Sequence, residues 1–387
     1  MAGSTREISR REWMKGGAAS AAVIITGIRG HAQSAKGKQK GATRSTVVSI
    51  RGEDFYINGK PTYAGRVWQG HRVEGLLMNA RMVQGTFDDL NPETSARWAY
   101  PDTHVWSGDR NTKEFVAAMP MWRSHGLLAF TLNLQGGSPE GYSHGGQPWI
   151  NSAFAADGSL RPATMERLAR ILDEADRLGL VVIVGYFYQA QARLLTDNAA
   201  VVRAVDNATN WILSHGYQNV MVEINNESSP RFPHEILRPD RVDELITRVR
   251  YAERNGRRLL VSTSYPGPLP TENVVRAADF VLVHGNNVAT PQKLTDSIHA
   301  TRTMVGDALK PILFNEDDHT DFDKADNNMV AAVKEHVSWG FFDYRRDGEK
   351  FEDGYQSPPV DWTIGSERKR GFFNLLSEMT GEGAPVR

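Results

Sequence analysis

The fold class follows from residues 162–187, which read PATMERLARILDEADRLGLVVIVGYF. The first part has apolar residues at helical spacing, starts at Pro162 and ends at Gly179, both of which suit helix ends. The second part, residues 181–187, is a continuous apolar run, as in a strand buried on both faces. The stretch therefore predicts a helix that leads directly into a central strand of a parallel sheet.

The same alternation continues along most of the chain. Further helices are predicted at 198–215, 241–255, 291–305, 327–337 and 367–379, and further strands at 127–132, 220–224, 259–262, 280–284, 312–314 and 341–344. Repeated strand–helix alternation implies a parallel sheet with helices outside it. The count of about eight units favours a (β/α)8 TIM barrel over a doubly wound sheet, and no glycine-rich dinucleotide fingerprint follows the early strands.

Two N-terminal features of this barrel are less regular. Either residues 62–68 or residues 76–83 supply the first strand. Ahead of it, residues 46–60 predict a small β-hairpin, because Asn58-Gly59 is a strong turn signal between short apolar segments.

The composition excludes several classes of protein. The 387 residues include 45 Lys or Arg and 46 Asp or Glu, giving a net charge of −1. Nucleic-acid-binding proteins normally show a basic excess, so no nucleic-acid partner is expected. The chain has no cysteine, which excludes disulfide scaffolds, thiolate zinc sites, iron–sulfur clusters and cysteine nucleophiles.

The N-terminus has the pattern of an export signal. Arg10-Arg11 and Lys15 precede the weakly apolar stretch 16–28, and small residues follow near Gly30-His31-Ala32. This resembles a twin-arginine signal, and the stretch is shorter than the roughly 20 apolar residues that span a bilayer. We predict a signal peptide at 1–34, a linker at 35–46 and a single (β/α)8 catalytic domain at 47–387. The expected location is periplasmic or secreted, with no membrane association beyond the export signal.

Two glutamates end buried strands of the predicted barrel. Glu227 ends the segment 221–227 and Glu316 ends the segment 311–316. In a barrel the chemistry lies at the carboxyl ends of the strands, and a carboxylate there costs desolvation energy unless it is paired or used. Two carboxylates across a barrel mouth suit glycoside cleavage, in which one donates a proton and the other attacks the anomeric carbon or activates water.

Short motifs around these glutamates resemble known enzymes. Residues 223–227, EINNE, resemble the fourth strand of clan A glycoside hydrolases, as in the family 5 cellulase and mannanase group. Residues 310–316, KPILFNE, look like the seventh strand of that clan, and residues 55–61, FYINGKP, are similar to a stretch that often precedes its first strand.

The resemblance implies roles for three residues. Glu227 would be the acid/base, Asn226 would hold the sugar 2-hydroxyl, and Glu316 would be the nucleophile of a retaining glycoside hydrolase. Its substrate would be a poly- or oligosaccharide, cleaved by double displacement without a cofactor or metal. The chain departs from the family in having Ser228 where Pro is frequent and Asp318 where Gly is frequent. The resemblance therefore leaves the sugar and the exact family open.

Further candidates for substrate contact lie at other strand ends and in one long loop. They are His284, Tyr265, Asn133, Gln135, Tyr188 and Trp149, with Arg81 as a weaker candidate. In the resembled clan, the sixth strand often ends in a His or Tyr that hydrogen-bonds the nucleophile, which His284 would match. Trp149 lies in the loop 135–154, and a flat ring there could stack on a sugar face. Glu223 shares a strand face with Glu227 and is predicted to be buried beside an Arg or Lys.

Two other functions remain open from the residues alone. One is a non-catalytic carbohydrate-binding barrel, although the presence of both Glu227 and Glu316 argues against it. The other is a metal-dependent hydrolase on the same fold, which would normally show His-x-His at the first strand, whereas His71 and His104 stand alone. The acidic run 317–323 with His319 could also bind a metal, but it lacks the Gly spacing of a calcium loop. A polysaccharide lyase or a transglycosylase on the same scaffold also stays open, since the sequence does not separate transfer from hydrolysis.

Overall fold

The computed structural model describes residues 44–142 and 146–383. The predicted signal peptide lies outside these residues, and so does the linker up to residue 43. The described part is an α/β (TIM) barrel, which confirms the predicted fold class.

Small antiparallel units precede the barrel. They are formed by β1 (Val48–Arg51), β2 (Asp54–Ile57) and β3 (Lys60–Pro61), and by β4 (Val67–Trp68) with β5 (His71–Arg72). Asn58 and Gly59 connect β2 to β3 with φ values of 54° and 74°. Positive φ at both central residues is what a type I′ turn requires. The predicted hairpin is therefore present, with its Asn-Gly turn leading into a third strand.

Within the described residues, eight parallel strands follow in chain order. They are β6 (Asn79–Arg81), β7 (Ala129–Asn133), β8 (Val181–Tyr188), β9 (Val220–Asn226), β10 (Leu260–Ser262), β11 (Val281–His284), β12 (Ile312–Glu316) and β13 (Gly340–Phe341). Strands β6 to β10 pair with their sequence neighbours, and β13 pairs with β6, so the last strand meets the first. The first barrel strand thus lies in residues 76–83 and not in 62–68.

The remaining strands are joined by shorter contacts. Strand β11 pairs with β12, and parallel bridges join Leu313 to Ser338 and Asp317 to Phe341 at β13. Between β10 and β11, the Asp279 N–H donates to the Val261 carbonyl at 3.0 Å.

Helices connect and cover the strands. Among the described residues they are α1 (Gly108–Ser124), α2 (Pro162–Leu178), α3 (Gln189–Ala192), α4 (Asn198–Ser214), α5 (Val242–Tyr251), α6 (Glu272–Ala277), α7 (Pro291–Val305), α8 (Asn328–Lys334) and α9 (Glu367–Thr380). Helix α2 begins at Pro162 and is followed by Gly179 in the left-handed conformation, φ 72°, as its sequence predicts. None of the helices in 44–142 and 146–383 is long and apolar enough to cross a membrane.

Strand burial explains the apolar runs of the sequence and places the site. Every residue of β8 and β9 is buried, since side chains of one face fill the barrel and those of the other pack under helices. Among the polar strand residues, Asn226 and Glu316 are the last residues of β9 and β12. Among the described residues, Arg44 already contacts the barrel, since its Nη1 lies 2.6 Å from Asp173 of α2, three residues before the predicted domain start at 47.

Candidate active site

Glu227 follows β9 directly and has an unusual backbone conformation. Its φ is 55°, in the left-handed region that non-glycine residues rarely adopt. The Glu227 N–H donates to Ser264 Oγ at 3.0 Å, which fixes this turn. The side chain is 35% exposed, so its carboxylate can reach a bound molecule. Backbone outliers of this kind persist only where the surrounding structure holds the residue in place.

Glu316, the last residue of β12, is held more tightly. Its side chain is 6% exposed, and Arg81 Nε lies 2.7 Å from its Oε2. Asn286 Nδ2 donates to its Oε1 at 2.7 Å. A buried cation thus compensates the carboxylate charge, and a hydrogen bond fixes the orientation of the carboxylate.

His284 lies between the two carboxylates. This buried side chain places Nδ1 3.1 Å from Glu227 Oε1 and 3.5 Å from Glu316 Oε2. One oxygen of each carboxylate and one nitrogen of His284 lie within 4.8 Å of one another. The three groups therefore form one electrostatic unit.

The pKa values of His284 and Glu227 are shifted in opposite directions. Burial lowers the pKa of His284, but the carboxylates of Glu316 and Glu227 outweigh it and raise that pKa above 6.5. Burial raises the pKa of Glu227, but the hydrogen bond with His284 and the charges of His284 and Arg81 bring it below its usual value. In the free protein the proton of the Glu227–His284 pair therefore resides on the imidazole.

Arg81 and Glu223 form the layer beneath these groups. Arg81 Nη2 donates to Asn226 Oδ1 at 2.7 Å, so this arginine joins Asn226 to Glu316 across the barrel. Glu223 is fully buried, and burial raises its pKa while the charge of Arg81 opposes the rise. Its oxygens accept hydrogen bonds from Ser264 and from Asn315, the latter at 3.3 Å. The predicted basic partner of Glu223 thus acts through its charge and not through a direct hydrogen bond.

Both candidate catalytic carboxylates open into one cavity of about 220 Å³. It is lined by Arg81, Gly141, Tyr142, Tyr188, Gln189, Asn226, Glu227, Arg231, Glu316, Phe342 and Gln356. Aromatic rings on its wall offer apolar faces of the kind that pack against sugar rings, and the amides offer hydrogen bonds to hydroxyls.

The cavity includes part of the predicted set. Asn226, Glu227, Glu316 and Tyr188 line it, together with the weaker candidate Arg81, and His284 lies directly behind the carboxylates. Gln135 is buried outside the cavity, and its Oε1 accepts from the Tyr188 N–H at 3.1 Å. It therefore positions Tyr188 and does not line the cavity itself.

Three predicted substrate contacts lie elsewhere. Trp149 is buried against Trp98, with ring centroids 5.7 Å apart, because its loop folds back and buries the ring. The Tyr265 hydroxyl lies 2.6 Å from Thr271 Oγ1. Asn133 borders a separate small polar space. The structure brings none of these three to the lining of the cavity.

Other lining residues were missed by sequence reasoning. Phe342 follows β13 and Gln189 follows β8, so the same strand-end rule that identified Glu316 could have found both. Tyr142, Arg231 and Gln356 lie further from the barrel strands. No periodicity or motif marks them.

The acidic run after β12 does not form a free ligand set. Asp317, Asp318 and His319 are close enough together to hold a cation. However, Asp317 is fully buried and its Oδ2 accepts from Asn328 Nδ2 and Trp339 Nε1, each at 2.9 Å. Its Oδ1 lies 2.6 Å from His319 Nδ1. Both oxygens of Asp317 are thus used in holding the end of β12, which indicates a structural role.

The group Glu227–His284–Glu316 also has metal-ligand spacing. In this group Arg81 already supplies a positive charge, because its Nε lies 2.7 Å from Glu316. His284 directs Nδ1 at both carboxylates, which is a hydrogen-bonding arrangement. The donor set therefore fits an ion-paired proton-transfer site better than a metal centre.

Comparison with known proteins gives structural neighbours only. The fold is similar to an endo-1,4-β-mannanase from Rhizomucor miehei (12% identity, TM-score 0.54, covering 87% of this chain and 100% of that one). It is also similar to a glycoside hydrolase family 5 mannosidase from the same fungus (12%, 0.51, 88% and 99%) and to a family 5 glycoside hydrolase from Bacteroides vulgatus (13%, 0.52, 86% and 70%). No protein-family model and no curated protein matches the sequence. At these identities the likeness establishes the barrel fold.

Proposed function

We propose that this chain is a retaining glycoside hydrolase that cleaves O-glycosidic bonds of a poly- or oligosaccharide. The observation that carries the proposal is the pair Glu227 and Glu316, whose oxygens approach within 4.8 Å at the wall of one cavity. Retaining enzymes place their carboxyl groups roughly 5–5.5 Å apart and inverting enzymes roughly 6.5–9.5 Å apart. The glycoside hydrolase names of the structural neighbours support the same class of reaction.

The first step would form a covalent glycosyl–enzyme ester. Glu316, ionised beside Arg81, attacks the anomeric carbon while Glu227 gives a proton to the departing glycosidic oxygen. Because the free protein keeps the shared proton on His284, that proton must pass to Glu227 through their 3.1 Å contact. Asn226 accepts from Arg81 through Oδ1, which leaves its Nδ2 to donate to a sugar hydroxyl.

The second step would release the sugar. Glu227, now ionised, takes a proton from water, the hydroxide oxygen attacks the anomeric carbon, and Glu316 departs as a carboxylate. The partial exposure of Glu227 lets water reach it, whereas Glu316 stays shielded.

The test is hydrolysis of a panel of aryl glycosides and polysaccharides by wild type and Glu316→Ala, with and without azide. We expect Glu316→Ala to lose roughly three orders of magnitude in kcat or more, with azide restoring turnover as an inverted glycosyl azide. Asp321→Ala is the matched control, because Asp321 is an exposed acid of the same loop that pairs with Lys324.

Two results would count against the proposal. Full activity of Glu316→Ala would show that this residue is not the nucleophile. Sugar binding by a wild type that hydrolyses nothing in the panel would favour the carbohydrate-binding barrel.

A further inference from the structure

A second arginine lines the cavity beside the candidate acid/base. Arg231 lies four residues beyond Glu227, in the loop that follows β9, and its side chain is exposed. Its guanidinium makes no hydrogen bond or ion pair with any residue of 44–142 or 146–383. Arg231 thus presents an uncompensated positive charge to whatever occupies the cavity.

The other cavity arginine is in the opposite situation. Arg81 is 2% exposed and is already engaged by Glu316 and Asn226. Its charge is used within the protein, so it holds catalytic groups and has little left for a substrate. Of these two arginines, Arg231 is the one whose N–H groups are available to a ligand.

Neutral sugars would not need such a group. Asn226 and Gln189 already line the cavity with amides that can bond hydroxyls. A guanidinium is a planar, permanently charged fork that matches a carboxylate through two parallel hydrogen bonds. An anionic sugar near Glu227 and Glu316 would otherwise be repelled, and a cation on the same wall removes that penalty.

We infer that the substrate is an acidic saccharide, and that Arg231 binds the carboxylate of a uronic acid residue next to the cleaved bond. This inference rests on the proposed glycoside hydrolase function and specifies its substrate class. Arg231 is then the residue that sets the preference for a charged over a neutral sugar.

The test compares sugars that differ only in charge. Substrates are 4-nitrophenyl β-glucuronide beside 4-nitrophenyl β-glucoside, and polygalacturonate and alginate beside their carboxyl-reduced forms. We expect wild type to prefer the acidic member of at least one pair. In Arg231→Gln the ratio of kcat/KM for acidic over neutral substrate should fall roughly 10- to 100-fold, as for loss of a charged hydrogen-bonded pair.

Two further variants test whether the preference depends on the guanidinium group and on its position in the cavity. Arg231→Lys keeps the charge without the fork and should retain part of the preference. Arg276→Gln is the control, because Arg276 is an arginine of α6 whose side chain is 71% exposed and lies away from the cavity. Its ratio should equal that of wild type.

The outcomes separate the inference from the function beneath it. Hydrolysis of neutral substrates without an acidic preference, or a ratio unchanged in Arg231→Gln, overturns the inference and leaves the hydrolase proposal standing. If nothing is hydrolysed, affinity electrophoresis in gels containing the same polymer pairs decides. Retardation by the acidic form that depends on Arg231 supports the inference, and its absence overturns it.

Discussion

At the scale of single residues, the two candidate catalytic carboxylates are held by different means. Glu316 is buried and faces a buried arginine, so its carboxylate is paired with a cation and shielded from bulk water. Glu227 is partly exposed and faces an imidazole that can take or return a proton. This asymmetry supports the proposed roles, because a nucleophile must stay charged and an acid/base must exchange protons.

The ion pair of Arg81 and Glu316 should matter for stability as well as for activity. Both side chains are almost fully buried, and removal of one partner leaves an uncompensated charge. We expect Arg81→Met to lower the free energy of unfolding by about 3–5 kcal/mol, measured by urea denaturation.

Arg276→Met is the matched control for that measurement. Arg276 pairs with Glu272 on the surface of α6, and exposed pairs contribute at most about 1 kcal/mol. Equal unfolding free energies for the two variants would show that the buried pair does not stabilise the fold.

The Glu227–His284 pair predicts a pH dependence. Because the pKa of His284 is raised above 6.5, the shared proton remains bound above that pH and is lost as the pH rises through the raised pKa. The alkaline limb of kcat/KM should therefore lie above pH 6.5. In His284→Gln the proton must be held by Glu227 itself, so the limb should move to lower pH.

The control for this profile is His319→Gln. The pKa of His319 is also raised, chiefly by its hydrogen bond to Asp317, but His319 does not line the cavity. The alkaline limb of kcat/KM in His319→Gln should lie at the same pH as in the wild type. An unmoved limb in His284→Gln would exclude the pair as the source of the acid proton.

At the scale of elements, the end of β11 is set by its packing against β12. Gly285 follows His284, and a Cβ on Gly285 would lie 2.3 Å from Asp317 Oδ2. That oxygen cannot move away easily, because Asn328 and Trp339 both donate to it. The glycine therefore allows the close approach that places His284 between the carboxylates.

Gly285→Ala should accordingly impair catalysis by displacing this strand end. We expect kcat to fall roughly 100-fold, the scale of a displacement of about 1 Å at a reacting group. The measurement is kcat on an aryl glycoside, with circular dichroism to verify folding. Gly137→Ala is the control, because the atoms nearest to a Cβ added at Gly137 would lie 3.4 Å from it, an ordinary van der Waals distance. Wild-type kcat in Gly285→Ala would show that the strand end tolerates the added methyl.

Elements with a clear period were predictable and irregular ones were not. Helix α2 and strand β8 follow from residues 162–187, because helix-end residues and a continuous apolar run agree there. Helix α1 is not among the predicted helices. It contains Pro120, and a proline inside a sequence usually argues against a helix at that place. The tight contact at Gly285 joins residues that follow two different strands, β11 and β12, so no local pattern reveals it.

At the scale of the whole molecule, topology explains which site residues the sequence could predict. Glu227, Glu316 and Asn226 lie at or directly after strand ends, and a parallel barrel brings all strand ends to one mouth. Arg231 and Gln356 reach the same cavity only through the path of their loops. Trp149 is the opposite case. Its position in a long loop predicted that it would contact the substrate, but its ring is buried against Trp98. Loop paths depend on tertiary contacts that composition does not encode.

The location of the whole protein is a further proposal. We propose that residues 1–34 direct twin-arginine export, which transports folded proteins and suits a barrel without cysteines. In a bacterium with that system, the wild type should appear in the periplasm or medium, shortened at its N-terminus. Replacement of Arg10 and Arg11 by Lys should retain it in the cytoplasm at full length, as fractionation and mass spectrometry would show. Export that persists in the double variant would exclude the twin-arginine route. An N-terminus that stays intact outside the cell would exclude cleavage, and hence a removable signal peptide.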